Sequence, residues 1–318
     1  MASVSEVVGS DVASWQCTEP LPPERHRMVI REMNLHGFKW DTQVGDVSCL
    51  APFALVLPRR EWNTLAALAE ALSAELSVLE SRIEGRPDLW RRLGLPRTLL
   101  NELGRGEPWT PTAVRVVRYD FHPTGHGYRI SEVNSDVPGG FTESSTFTAL
   151  MAVDNPGFAV AGDPLRDVSA ALARSCNTAG VVALLAAPGY VEDLQVVHAV
   201  AARLRSHAVR SVVCRPEQIV WDQGRALVRS DGRPVPIGAI YRFYQGEWLV
   251  RAPTPAWRLL LRGGKTSVCN PAVSLLTESK RLPLLWQELD VPMPSWSSLL
   301  PETAASRLHS AEAHASGY

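Results

Sequence analysis

The chain has 318 residues, 45% apolar and 20% charged, with 32 Lys and Arg against 33 Asp and Glu for a formal charge of −1. That length allows two domains with real cores, and the balance excludes large-scale disorder and any strong electrostatic preference for nucleic acid or an anionic membrane. Five scattered cysteines (Cys17, Cys49, Cys176, Cys214, Cys269) form no C-x-x-C pair, the N-terminus lacks a signal-like apolar core, and no apolar run could span a bilayer, so a soluble, cytoplasmic protein is expected.

Residues 1–35 are polar and punctuated by Pro20, Pro22 and Pro23, and read as an N-terminal arm or early loop. From Trp62 an apolar stripe runs through Leu65, Leu68, Leu72, Leu76, Leu79 and Ile83, then meets Gly85 and Pro87. This spacing predicts a long amphipathic helix whose stripe packs into a core. Ala113 to Phe121 is rich in β-branched residues, His122 to Gly127 is turn-like, and Tyr128 to Asn134 alternates with period two, which together predict a hairpin. After a linker near Asn155 to Asp163, Val181 to Ala187 is a continuous apolar run of buried-strand type, followed by Pro188-Gly189-Tyr190 and a helix through Val196, Val200 and Leu204. Further strands are expected at Ser211 to Cys214 and Ile237 to Tyr244, with a hairpin turn at Asp231-Gly232. Strand, helix and strand in that order point to a small Rossmann-like α/β unit.

The hairpin carries the chemistry. Arg118 and Asp120 lie two apart on one strand, and Glu132 and Asn134 lie two apart on the other, so each pair shares a face. A single antiparallel register centred on His126 sets Asp120 opposite Glu132 and Arg118 opposite Asn134. Two carboxylates that close repel unless a cation neutralises them, and an all-oxygen donor set suits magnesium. On spacing alone a surface hairpin with ordinary salt bridges is the simpler explanation of the pattern.

Other motifs carry less. Gly263-Gly264-Lys265-Thr266 ends like a P-loop, but Leu259 stands where that motif needs glycine, and a turn before a strand is expected instead. Ala186 to Tyr190 lacks the G-x-G-x-x-G pattern of a dinucleotide loop. His122 and His126 fit turn geometry, and Cys176 and Cys214 read as core thiols.

Arg118-Tyr119-Asp120, then Glu132-Val133-Asn134-Ser135-Asp136-Val137-Pro138, then Glu143-Ser144 resembles the stretch of the glutathionylspermidine synthase family in which an R-x-D strand leads into an E-x-N-x-D-x-P strand and loop. Leu50 to Trp62, Val182 to Leu194, Ala239 to Leu249 and Asn270 to Ser295 agree with the same family in the same order. The resemblance implies an α/β fold: a circularly permuted ATP-grasp with a Rossmann-like pre-ATP-grasp unit and an incomplete nucleotide domain. It divides the chain into the arm (1–35), a helical segment with the metal-ligand half of the ATP-grasp (36–170), the Rossmann-like unit (171–270) and the start of the nucleotide-binding subdomain (271–318). By similarity Asp120, Glu132 and Asn134 would hold magnesium, Arg118 would be the catalytic contact to a transferred or acyl phosphate, and Lys280 would be the nucleotide-binding lysine.

The implied activity is an ATP- and Mg2+-dependent carboxylate–amine ligase working through an acyl phosphate, on small carboxylates and peptide- or polyamine-like amines. The alternative is an inactive, truncated remnant serving as a binding or scaffold protein, because the second lysine-bearing strand and glycine-rich lid expected of the family do not follow Lys280. A partner chain could then complete the ATP site. Val137, Gly139 and Gly140 also replace the small hydroxyl residues expected for a peptide-like substrate, with Ser144 and Ser145 as substitutes, so glutathione itself is not implied.

Overall fold

The computed structural model describes residues 15–106, 114–176, 180–230, 232–252 and 255–300. Within the segment read as an arm, Pro23–Leu35 forms a helix, α1. Proline costs nothing in a first helical turn, whose N–H groups are unpaired anyway, so the prolines start this helix rather than prevent one. Val29 and Met33 bury its inner face, and Arg25 grips Asp154 at 2.8 and 2.9 Å.

The long helix α2, Arg59–Glu84, follows the predicted stripe: Leu68, Leu72, Leu76, Leu79 and Ile83 are buried. Trp62, read as the start of that stripe, is instead 44% exposed. Beyond α2 lies a two-stranded antiparallel hairpin, β1 (Arg118–Thr124) and β2 (Gly127–Asn134). Its first strand starts later than expected; Ala113 lies outside the described residues. A π-helical turn, Thr142–Phe147, leads into α3, Thr148–Asp154, and an extended linker leads on to α4, Pro164–Ser175.

The central sheet is built from β3 (Val181–Ala186), β4 (Ser211–Cys214), β5 (Ile219–Asp222), β6 (Arg225–Ser230), β7 (Arg233–Phe243) and β8 (Ser267–Cys269). Its order is β4-β3-β7-β6-β5, with β8 also on β7. The long strand β7 serves two ladders. Residues near 233–236 run antiparallel to β6, and Ile237 to Phe243 run parallel to β3, with β8 parallel on the other side. The expected Ile237–Tyr244 strand is thus the parallel half of a longer one. Asp231 lies outside the described residues, and Ser230 pairs with Arg233 across that turn. Strands β5 and β6 were not legible as strands because charged and polar residues interrupt their apolar pattern.

Helix α5 (Val191–Ser206) connects β3 to β4. Every residue of β3 is buried because both sheet faces are covered. Val182, Leu184 and Ala186 pack with α4 and α5; Val181, Ala183 and Leu185 join a second core with α2 and the hairpin. The chain from β8 onwards returns to α2. Helix α6 (Trp257–Arg262) precedes β8, and α7 (Ser274–Glu278) and α8 (Pro294–Leu299) follow it. Trp296 Nε1 donates to the Leu72 carbonyl at 3.1 Å, and Glu75 accepts from the Ser295 N–H at 2.9 Å. This return brings Lys280 to the hairpin. Among the described residues no helix is long and apolar enough to cross a membrane.

Candidate functional site

The hairpin does not keep one register. From Phe121↔Ile130 to Thr124↔Gly127 the turn is the two residues Gly125-His126, whereas Tyr119↔Val133 and Arg118↔Asn134 follow a register one residue longer. A bulge opposite Asp120 absorbs the extra residue at Ser131-Glu132. The cause lies in the burial pattern: Tyr128, Ile130 and Val133 are all buried, at spacings of two and then three. An unbroken strand carrying Tyr128 and Ile130 into the core would carry Glu132 and Asn134 there too. The bulge flips the last residues, so that Val133 faces inward and the two polar side chains face outward. The single register centred on His126 is therefore corrected, yet the convergence it was meant to explain is present.

Arg118 forks onto Asp120, Nε to Oδ1 at 2.7 Å and Nη2 to Oδ2 at 3.0 Å. Asn134 presents its Nδ2 3.5 Å from Asp120 Oδ2 and 3.4 Å from Glu132 Oε1. Lys280 Nζ, far along the chain, meets Glu132 Oε2 at 2.9 Å. All five expected residues thus stand together. The Arg118 guanidinium holds the Asp120 carboxyl below its ordinary pKa, against partial burial that pushes the other way. Asp120 and Glu132 are 28% and 29% exposed while Arg118 and Lys280 are 43% and 75% exposed, so the cations can leave more easily than the acids.

Among the described residues no group of three or more His, Cys, Asp and Glu stands ready for a metal. The trio here has two carboxylates and an amide, an oxygen set that fits a hard cation of the magnesium kind once Asn134 turns its Oδ1 inward. Imidazole is not part of it: His122 Nε2 pairs with Ser131 Oγ at 2.8 Å.

Behind the trio lies a buried network that the motif reading did not assign. Glu278 accepts from the backbone N–H groups of Ser135 and Asp136, directly after Asn134. Burial, with the Asp136 charge, pushes the Glu278 carboxyl up to about 7, against those two N–H donors. Asp136 is buried and paired with fully buried Arg242, and its Oδ2 accepts from Gly246 N at 2.8 Å. Arg242 also donates to the carbonyls of Tyr244 at 2.9 Å and Asn270 at 3.1 Å. Asn270 bonds both backbone groups of Val116, at 2.8 and 2.9 Å. A side chain at Gly246 would press on the Leu275 side chain, so the backbone passes close to α7 there. One signal could have found this network: Arg242 stands inside the apolar run Ala239 to Phe243, and a buried arginine requires a buried acid.

A cleft of about 350 Å3 opens beside Glu132 and Lys280, with Glu278, Pro283, Trp286 and Trp296 in its wall. The remaining motifs are structural. Lys265 N donates to the Gly224 carbonyl at 2.7 Å in a turn before β8, as expected. Burial pushes the Cys214 and Cys269 thiols up to about 12 and raises Cys176, so they are inert.

A hairpin bearing paired carboxylates, set ahead of a Rossmann-like parallel unit from which a lysine-bearing segment returns to it, makes this a mixed α/β protein of the ATP-grasp-like kind. The chain belongs to the glutathionylspermidine synthase family: the model of that family's pre-ATP-grasp domain matches residues 22–313. Among solved structures it is similar to a glutathione synthetase-like effector (GSS30) from Globodera pallida in its apo form. That match has 14% identity and a TM-score of 0.54, and covers 84% of this chain and 68% of that one, a likeness of fold. No curated protein sequence matches the chain.

Proposed function

We propose that the chain serves an ATP- and magnesium-dependent carboxylate–amine ligase reaction. The γ-phosphoryl group of ATP passes to a substrate carboxylate, giving an acyl phosphate and ADP; an amine then displaces phosphate to form the amide. The observation that carries this reading is the meeting of Arg118, Asp120, Glu132 and Asn134 with Lys280, a residue nearly 150 positions further on, within hydrogen-bond distances. In this reading residues 36–170 supply the metal-ligand half, 171–270 the pre-ATP-grasp unit and 271–318 the nucleotide-binding start.

Asp120, Glu132 and Asn134 would hold the magnesium, which when bound neutralises phosphate charge and aligns an in-line transfer. Arg118 and Lys280 act as stand-in counter-ions until then. Once the carboxylates are otherwise neutralised, both cations are free to turn to phosphate oxygens, Arg118 through its planar fork and Lys280 as a point charge. Glu278 and the Asp136–Arg242 pair keep the strand end fixed while the exposed cations move. The test is magnesium-dependent ADP release with a panel of small carboxylates and amines. Asp120→Asn and Glu132→Gln should each abolish it; undiminished release in both variants would reject the assignment.

A second reading, a non-catalytic binding protein, has one observation in its favour. Both carboxylates are already neutralised by the protein's own cations, an arrangement that is stable without any metal. It predicts no ADP release with any acid and amine, and ligand binding indifferent to magnesium.

A further inference from the structure

Among the described residues a second cavity, larger than the cleft by Glu132, is remote from the hairpin. It is a groove of about 770 Å3 between the Phe53–Asn63 stretch and the Phe147–Ala161 stretch. Asn63 at the groove and Leu79 at the cleft by Glu132 sit sixteen residues apart on α2, about 24 Å along the helix axis. The two places are therefore separate sites.

Phe53, Leu55 and Trp62 form one wall and Phe147, Phe158 and Val160 the other. Five of these six are large apolar side chains left exposed, with Phe158 at 52% and Leu55 at 54%. A contiguous apolar patch of this kind on a folded surface marks an interaction site, and its concave form and volume are those of small-molecule sites. The polar part of the lining is one-sided. Thr148 and Asn155 each spend a donor on a backbone carbonyl, at 3.1 and 2.8 Å, and Arg59 is the charged side chain of the described lining. Among the described residues Arg59 has no ion-pair partner and no carboxylate lines the groove. Two acids adjacent in sequence to lining residues are spent: Glu61 is buried and takes the Tyr128 hydroxyl at 2.8 Å, and Asp154 is held by Arg25.

From this charge pattern we propose that the groove binds a free amphipathic carboxylate, an alkyl or aryl chain with one terminal acid, its tail between the aromatic walls and its carboxylate on Arg59. A cationic amphiphile would meet an unopposed guanidinium, and a neutral one would leave Arg59 unanswered.

The test is titration calorimetry of dodecanoate, dodecyltrimethylammonium and 1-dodecanol, each below its micellar concentration, into the full chain and its Arg59→Gln and Phe158→Ser variants. Both substituted residues are exposed, so neither change threatens the fold. One dodecanoate should bind per chain, at least about tenfold tighter than either other amphiphile, as a charge-assisted bond provides. Arg59→Gln should erase that preference and Phe158→Ser should weaken all binding. Equal affinity for the three probes, no saturable dodecanoate binding, or unchanged dodecanoate affinity in Arg59→Gln would overturn the proposal. So would sedimentation showing a dimer that Phe158→Ser disrupts and dodecanoate leaves intact, since a second copy would then be the occupant.

Discussion

Arg242 and Lys280 show how differently two cations of one site are held. Arg242 is wholly buried against Asp136, so Arg242→Met strands an unpaired carboxylate and should cost about 3–5 kcal/mol of stability, read as a lower denaturant midpoint. Lys280 is 75% exposed, and its pair with Glu132 contributes little to folding. Lys280→Met should therefore leave the melting temperature within a degree or two and weaken nucleotide binding about tenfold, the loss of one charge-assisted phosphate contact. Had the two residues served the same purpose, both variants would show the same balance of stability and binding. The five residues were named from a motif, four of them also from two-residue spacing on each strand, and they lie close together in the structure. Glu278 was not legible, because its partners are backbone N–H groups, which leave no trace in residue identity.

Among the elements, α2 and β3 followed from pattern alone: leucines at helical spacing, and a run of six apolar residues that only a doubly covered sheet can bury. The bulge in β2 was hidden for a physical reason. Reading Tyr128 to Asn134 as unbroken alternation passes over the two consecutive polar residues Ser131-Glu132, and it is there that burying Val133 while exposing Glu132 and Asn134 breaks the period. Helix α1 was hidden because prolines that open a helix and prolines that prevent one look alike in composition. Helix α5 supplies a pH-dependent prediction. Near its start Asp193 is buried with no partner for Oδ2, and burial, with the charges of Glu192 and Asp136, raises its pKa to about 7. A carboxyl raised in the folded state contributes most stability below its unfolded value and loses it as pH climbs through 7. Asp193→Asn should thus stabilise the protein at pH 8 by on the order of 1–2 kcal/mol, with screening allowed for, and change little at pH 4. Thermal melts at the two pH values check this; equal shifts at both would contradict it.

At the level of the whole molecule, three stretches of chain meet behind Asn134: α7 through Glu278, the end of β7 through Arg242 and Gly246, and the turn at Asn270. The sheet and the return segment thereby hold one strand end in place, while the charges in front of it stay exposed. A rigid acidic face with movable counter-ions is what a metal–nucleotide site requires before its ligand arrives. Order of motifs along the chain made this arrangement readable. The pairing of distant segments did not come from local pattern, since β3 meets β7 across more than fifty positions and the return to α2 joins residues more than two hundred apart.

The most direct test is calorimetric titration of ATP, with and without magnesium, into the 318-residue chain and its Glu132→Gln variant. The predicted result is saturable ATP binding by the unmodified chain only when magnesium is present, lost in Glu132→Gln. Binding that ignores magnesium, or that survives in the variant unchanged, would contradict a metal–nucleotide site at Asp120, Glu132 and Asn134.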